Sequence, residues 1–176
     1  MRKIAEVVGQ QLKWVQPSVL AMQYELRAAD ELAATLRFRS CFGSFATGES
    51  ADGCWTFKRI GFWQTRVTVR ACGEDVDRAT FRNNTWSGGG TLELSGGRKF
   101  LATTNFWQTN LEFQDELGGT LIKFKSGGLL HLSATVDLEP NAVSLPVLPW
   151  MVMLGWYLTV MMHLDSATAA GGAGAT

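Results

Sequence analysis

Two histidines, three cysteines, three serine–glycine runs and a few outward-facing cations are the positions in this 176-residue chain whose types could act on another molecule. A histidine working as a general base needs a partner within hydrogen-bond reach. His131 falls on the outward side of an alternating segment and His163 at the end of an apolar one, and neither brings such a partner. Ser87-Gly88-Gly89-Gly90, Ser95-Gly96-Gly97 and Ser126-Gly127-Gly128 have glycines that a phosphate loop would use. None opens a helix or matches GxxxxGK[ST], so they read as hairpin turns. There is no GxSxG and no HExxH. Cys41, Cys54 and Cys72 are separated by 12 and 17 residues, a spacing that suits no metal site. They read as free thiols in a reducing cytoplasm. No catalytic residue, metal ligand or cofactor is assigned, and the chain is expected not to be an enzyme.

Charge offers one alternative. Lys58, Arg66 and Arg70 fall on the outward side of two neighbouring alternating segments, and Lys123 and Lys125 do so elsewhere. Ammonium and guanidinium groups pair with phosphate head groups, which makes Lys58, Arg66 and Arg70 the candidate ligand-binding residues. Sixteen Lys and Arg balance sixteen Asp and Glu, so no net field draws the chain to nucleic acid or to anionic lipid, and only a local basic patch can do so. The expected partner is an anionic phospholipid or another protein.

The elements that must position these residues are strands. Hydrophobic residues make up 46% of the chain and charged residues 18%, a folding composition at a length that suits one domain. Val19–Arg27 alternates with Leu20, Met22, Tyr24 and Leu26 on one face, and Leu32–Phe38 repeats the pattern. Period-2 alternation marks strands with one buried side. Ser44–Ser50, Cys54–Ile60, Phe62–Arg70, Val76–Arg82, Thr91–Ser95, Arg98–Thr104, Thr109–Gln114, Thr120–Lys125 and Leu130–Glu139 continue the series, broken by turns such as Ala51-Asp52-Gly53. About 11 or 12 short strands with glycine-rich turns indicate an antiparallel barrel or sandwich, and the absence of a helical period argues against βαβ units. Phe62-Trp63-Gln64-Thr65 recurs as Phe106-Trp107-Gln108-Thr109, 44 residues on. The two copies are read as equivalent strand starts, with their aromatics anchored in the core.

After Glu139-Pro140-Asn141 the character changes. Pro149 suits the first turn of a helix, and Trp150 to Leu164 has no polar face. Such a helix is either a membrane span or wholly enclosed by protein. Val143–Met162 is uncharged, but Pro146 and Pro149 shorten the regular helix to about 16 residues, or ~24 Å. No Lys or Arg flanks it. Eight strands just fill a barrel with their own side chains, and more strands leave a lumen that needs a filling. A strand of about seven residues spans ~23 Å, the height of this helix. The expected fold is therefore mainly β, a closed antiparallel barrel of about 12 strands enclosing a hydrophobic C-terminal helix. It forms one domain over residues 1–164, with strands over about 19–139, the helix over about 149–164, and a flexible small-residue tail over 165–176. The N-terminus shows no signal-peptide core, and the expected location is cytoplasmic with possible attachment to a membrane surface.

The strand series, the Tyr24-Glu25-Leu26-Arg27 strand with its following turn, and the terminal Pro149-Trp150-Met151-Val152-Met153-Leu154-Gly155-Trp156-Tyr157-Leu158 helix resemble the tubby C-terminal-like superfamily. That group includes tubby domains, LURP-one-related proteins and phospholipid scramblases. The resemblance covers roughly residues 14–164 and is architectural. It implies a non-enzymatic binding or scaffold protein with peripheral phospholipid association. The scattered cysteines and the lack of an acidic loop before Pro149 differ from the scramblases, and no functional residue of the family carries over. The rival reading is a tail-anchored membrane protein with a cytosolic β-domain. Gly155→Arg separates enclosure from exposure. An unpaired charge inside a packed lumen is expected to abolish folding, whereas soluble full-length protein with unchanged thermal stability would contradict burial.

Overall fold

The computed structural model describes residues 1–18, 20–41, 43–61, 65–84, 89–105, 107–127 and 132–172, with side chains as far as Ala169. Twelve strands follow a short 3-10 turn at Ile4–Val7. They are β1 (Leu12–Val15), β2 (Gln23–Ala28), β3 (Glu31–Phe38), β4 (Phe45–Ser50), β5 (Gly53–Ile60) and β6 (Arg66–Ala71). The series continues with β7 (Ala79–Asn83), β8 (Gly89–Leu94), β9 (Lys99–Thr104), β10 (Asn110–Gln114), β11 (Thr120–Gly127) and β12 (Ser133–Leu138). Each strand pairs antiparallel with its sequence neighbours, and β1 pairs with β12 to close the barrel. The last element is the helix α1 (Leu148–Gly172).

Alternation sets the wall. Inward positions such as Leu26, Leu36, Phe57, Val69, Leu92, Phe100, Phe113, Ile122 and Val136 are buried, and their strand neighbours are more exposed. The interior is filled by α1, which is buried without a break from Trp150 to Met161. It packs against β3, β4, β5, β10 and β11. Close contact is allowed by glycine at two points. A Cβ at Gly48 would lie 2.5 Å from the Met153 sulfur, and one at Gly155 would run into the Phe124 ring. Trp14 stacks on Trp156 at 5.7 Å between ring centroids, and Phe38 on Tyr157 at 5.4 Å. The Tyr157 hydroxyl donates to the Ser44 carbonyl at 2.5 Å.

The closed twelve-stranded barrel around a C-terminal helix matches the sequence expectation, and several details differ. The series begins before residue 19, because Leu12–Val15 forms the strand that closes the barrel. Leu20, read as an inward residue, is 95% exposed, since β2 starts only at Gln23. Only four residues of β1 alternate, Leu12 and Trp14 inward, too short a run for the period to stand out. The helix runs on to Gly172 and does not stop at Leu164, so His163 is an exposed residue within it. Residues 165–172, expected as a flexible tail, are helical, because Ala-rich sequence propagates a helix already nucleated by packing.

The free-thiol expectation is also corrected. Cys54 and Cys72 form a disulfide with a Cα–Cα distance of 5.4 Å. Strand register explains it: Trp55 lies opposite Ala71, which brings the preceding and following cysteines face to face. Cys41 is a free, exposed thiol. Disulfides are rare where glutathione keeps thiols reduced, and this bears on the cytoplasmic expectation.

Burial pushes the Tyr24 and Tyr157 hydroxyls up to about 12, while the nearby Arg59 charge pulls Tyr157 the other way. A phenol whose pKa rises from its usual 10.0 on folding adds stability below that value, and the gain is lost as pH climbs towards 12. Each tyrosine then accounts for about 3 kcal/mol. Stability measured by denaturant unfolding is expected to fall steeply between about pH 10 and about pH 12. Tyr157→Phe should lose roughly half as much stability over that range. An identical alkaline loss in the variant would contradict the assignment.

Candidate functional site

Five exposed cations without ion-pair partners gather on the β3–β7 side of the barrel wall, while Lys13 on β1 and Lys99 on β9 stand singly elsewhere. Lys58 on β5 and Arg66 on β6 point outward and are exposed, as their alternation foretold. Arg37 on β3, Arg39 just past its end, and Arg82 on β7 are exposed on the same outer face. None of these five has an ion-pair partner among the described residues. Register puts them side by side. Arg37 faces Thr47 on β4, Lys58 faces Phe45 on β4 and Thr68 on β6, and Arg66 faces Arg82 directly. Like charges directly opposite across an antiparallel pair repel, with Cβ atoms about 5 Å apart. An anion seated between two guanidiniums turns that repulsion into paired hydrogen bonds. The acidic side chains beside this outer face are Glu49 on β4, Asp77 before β7 and Glu93 on β8, which faces Thr80 and lines the same surface hollow as Arg82.

The three residues expected from sequence therefore separate. The structure brings Lys58 and Arg66 together near the end of the barrel where β5 finishes and β6 begins. Arg70 lies towards the other end, opposite Thr56, and its Nε is held by Asp77 Oδ1 at 2.6 Å. A side chain already neutralised by a carboxylate adds little to an anion site. Lys123 and Lys125, on the far side of the barrel, are likewise compensated, by Glu112 at 3.1 Å and Asp137 at 3.3 Å.

Arg82 is among the residues that sequence reasoning missed. Its outward position follows from the alternation of Val76–Arg82. Its place beside Arg66 depends on the register that the β6–β7 connection imposes, and no sequence period reports that. Arg37 and Arg39 were missed for the same reason: they belong to a different hairpin from Lys58 and become neighbours only through β4.

The other expectations fare unevenly. His131 lies outside the described residues, as do Phe62, Trp63, Gln64 and Phe106 of the repeated motif. Thr65 and Thr109 each sit immediately before a strand, β6 and β10, which agrees with equivalent strand starts. Trp107, expected as a core anchor, is instead 78% exposed. Among the described residues, no three His, Cys, Asp or Glu side chains gather as a metal site requires. Of the segment that the tail-anchor reading would place in a bilayer, Val143–Met162, the part from Trp150 to Met161 is buried within the barrel, and no described helix is long and apolar enough to cross a membrane.

Comparison with known proteins returns no match: no protein-family model, no curated protein and no solved structure matches this chain.

Proposed function

We propose that the protein is a non-enzymatic, tubby-like binding module that associates peripherally with anionic phospholipid through the outer face of β3 to β7. The observation that carries this reading is the direct opposition of Arg66 and Arg82, flanked by Lys58, with no carboxylate paired to any of the three among the described residues. Opposed guanidiniums raise the local potential, and phosphate oxygens are the acceptors that fit their fork geometry. Phe45, half-buried beside Lys58, gives the same face an apolar contact at head-group depth. The resemblance to the tubby-like group points the same way, as an architecture with outward-facing lipid contacts.

Vesicle co-sedimentation tests the proposal. Full-length protein is expected to bind phosphatidylserine-containing vesicles at low ionic strength, to bind pure phosphatidylcholine weakly, and to be released by salt as charges are screened. Each basic side chain near such a surface contributes about 1 kcal/mol, so Lys58→Ala/Arg66→Ala/Arg82→Ala should weaken binding about 100-fold. Lys123→Ala/Lys125→Ala, on the compensated side, should leave it unchanged. Absence of binding to anionic vesicles, or equal loss in the two variants, would overturn the reading.

A further inference from the structure

We infer that a crevice inside the barrel mouth, between α1 and the β6–β9 side of the wall, is a binding site for a small monocarboxylate with an apolar body. The crevice follows from how the helix sits. Because α1 leans on β3–β5 and β10–β11, it stands away from the opposite wall near its exit. The gap has a volume of about 120 Å³. Its apolar lining comes from Val67, Phe81, Leu111, Leu158 and Met161. These keep 3–7% exposure where the packed core residues Phe57, Phe100 and Phe113 have 0%, and the gap accounts for the difference.

The polar end is Arg59. It occupies an inward position on β5, in register with Val67, which in turn faces Phe81. An arginine in inward register, at the head of an apolar row, breaks the alternation that the rest of β5 obeys. Its Nη1 donates to Asp165 Oδ2 on α1 at 2.6 Å. Its Nε and Nη2 have no hydrogen-bond partner among the described residues. A guanidinium has five N–H donors in a planar fork, so a second carboxylate can dock on the free edge. Asp165 is then a resident competitor as well as a partner.

Size narrows the ligand. A water needs at least about 10–15 Å³ by this measure, so the crevice of about 120 Å³ holds at most roughly eight to twelve water-sized groups. That suits a medium-chain fatty acid with its carboxylate on Arg59 and its chain along Phe81 and Leu158. The inference does not rest on the outer-face reading, because it concerns an interior surface and is measured without vesicles.

The experiment compares octanoate, octanol and octylamine by calorimetric titration and methyl NMR on the full-length protein. Octanoate is expected to bind most tightly and to shift the Met161 and Met162 methyls, leaving Met151 and Met153 in place. Arg59→Gln should weaken octanoate about tenfold or more without changing octanol. Asp165→Asn should tighten octanoate severalfold by removing the competitor, and it keeps the test valid if Arg59→Gln fails to fold. Equal binding of the three compounds, an unchanged octanoate affinity in both variants, shifts away from the mouth, or no binding at all would each overturn the inference.

Discussion

The width of the lumen governs everything else in this protein. Twelve strands enclose more space than their own inward side chains can fill, and an unfilled lumen would forfeit the packing on which the wall depends. The chain meets this with a helix that has no polar face, an arrangement tenable only away from water, and here it is the barrel wall that surrounds it. The wall is fitted to that helix by its small residues. Ala34, Ala46, Ala102 and Ala134 face inward, and Gly48 and Gly155 are the places where backbone meets side chain most closely. Aromatic pairs, Trp14 with Trp156 and Phe38 with Tyr157, take up the remaining width.

The two ends of the barrel are unlike. At the end where α1 begins, the Ile4–Val7 turn caps the lumen with two fully buried side chains, and the Ile4 amide is anchored on Asp52 at 3.0 Å. At the other end α1 passes out of the barrel, held by Tyr157 on Ser44 and Asp165 on Arg59. Polar contacts replace apolar ones there because water reaches the rim. The same end carries Arg39, Lys58, Arg66 and Arg82 on its outer edge. Uncompensated charge outside and incomplete packing inside thus coincide in one region, and binding surfaces are commonly found where local stability has been given up in this way.

How much of this could be read from sequence depends on whether the signal is local. Strand count, alternation and the apolar helix are local patterns, and the closed barrel around α1 followed from them. The short β1 was not visible, since four residues with only Leu12 and Trp14 inward carry too little period to detect. The Cys54–Cys72 bond and the Arg66–Arg82 opposition were hidden for another reason. Both are properties of register across a hairpin, and register depends on turn geometry that residue types only partly specify. Arg59 is the instructive case. Its inward parity with Trp55 and Phe57 was already legible, but its meaning depended on where α1 would place Asp165, 106 positions away.

Helix α1 is the packed axis of the barrel, buried from Trp150 to Met161 and tied to the wall beyond that by Leu164 and the Asp165–Arg59 pair, with its exposed end starting at Ser166. Native-state amide hydrogen exchange measures this directly, because protection reports the free energy of opening residue by residue. The structure predicts that amides from Leu154 to Met161 exchange only through global unfolding, with the same opening energy as central strands such as β3 and β5, while those from Ser166 onward exchange far faster. Uniform, rapid exchange along the whole of α1, with the strands still protected, would contradict it.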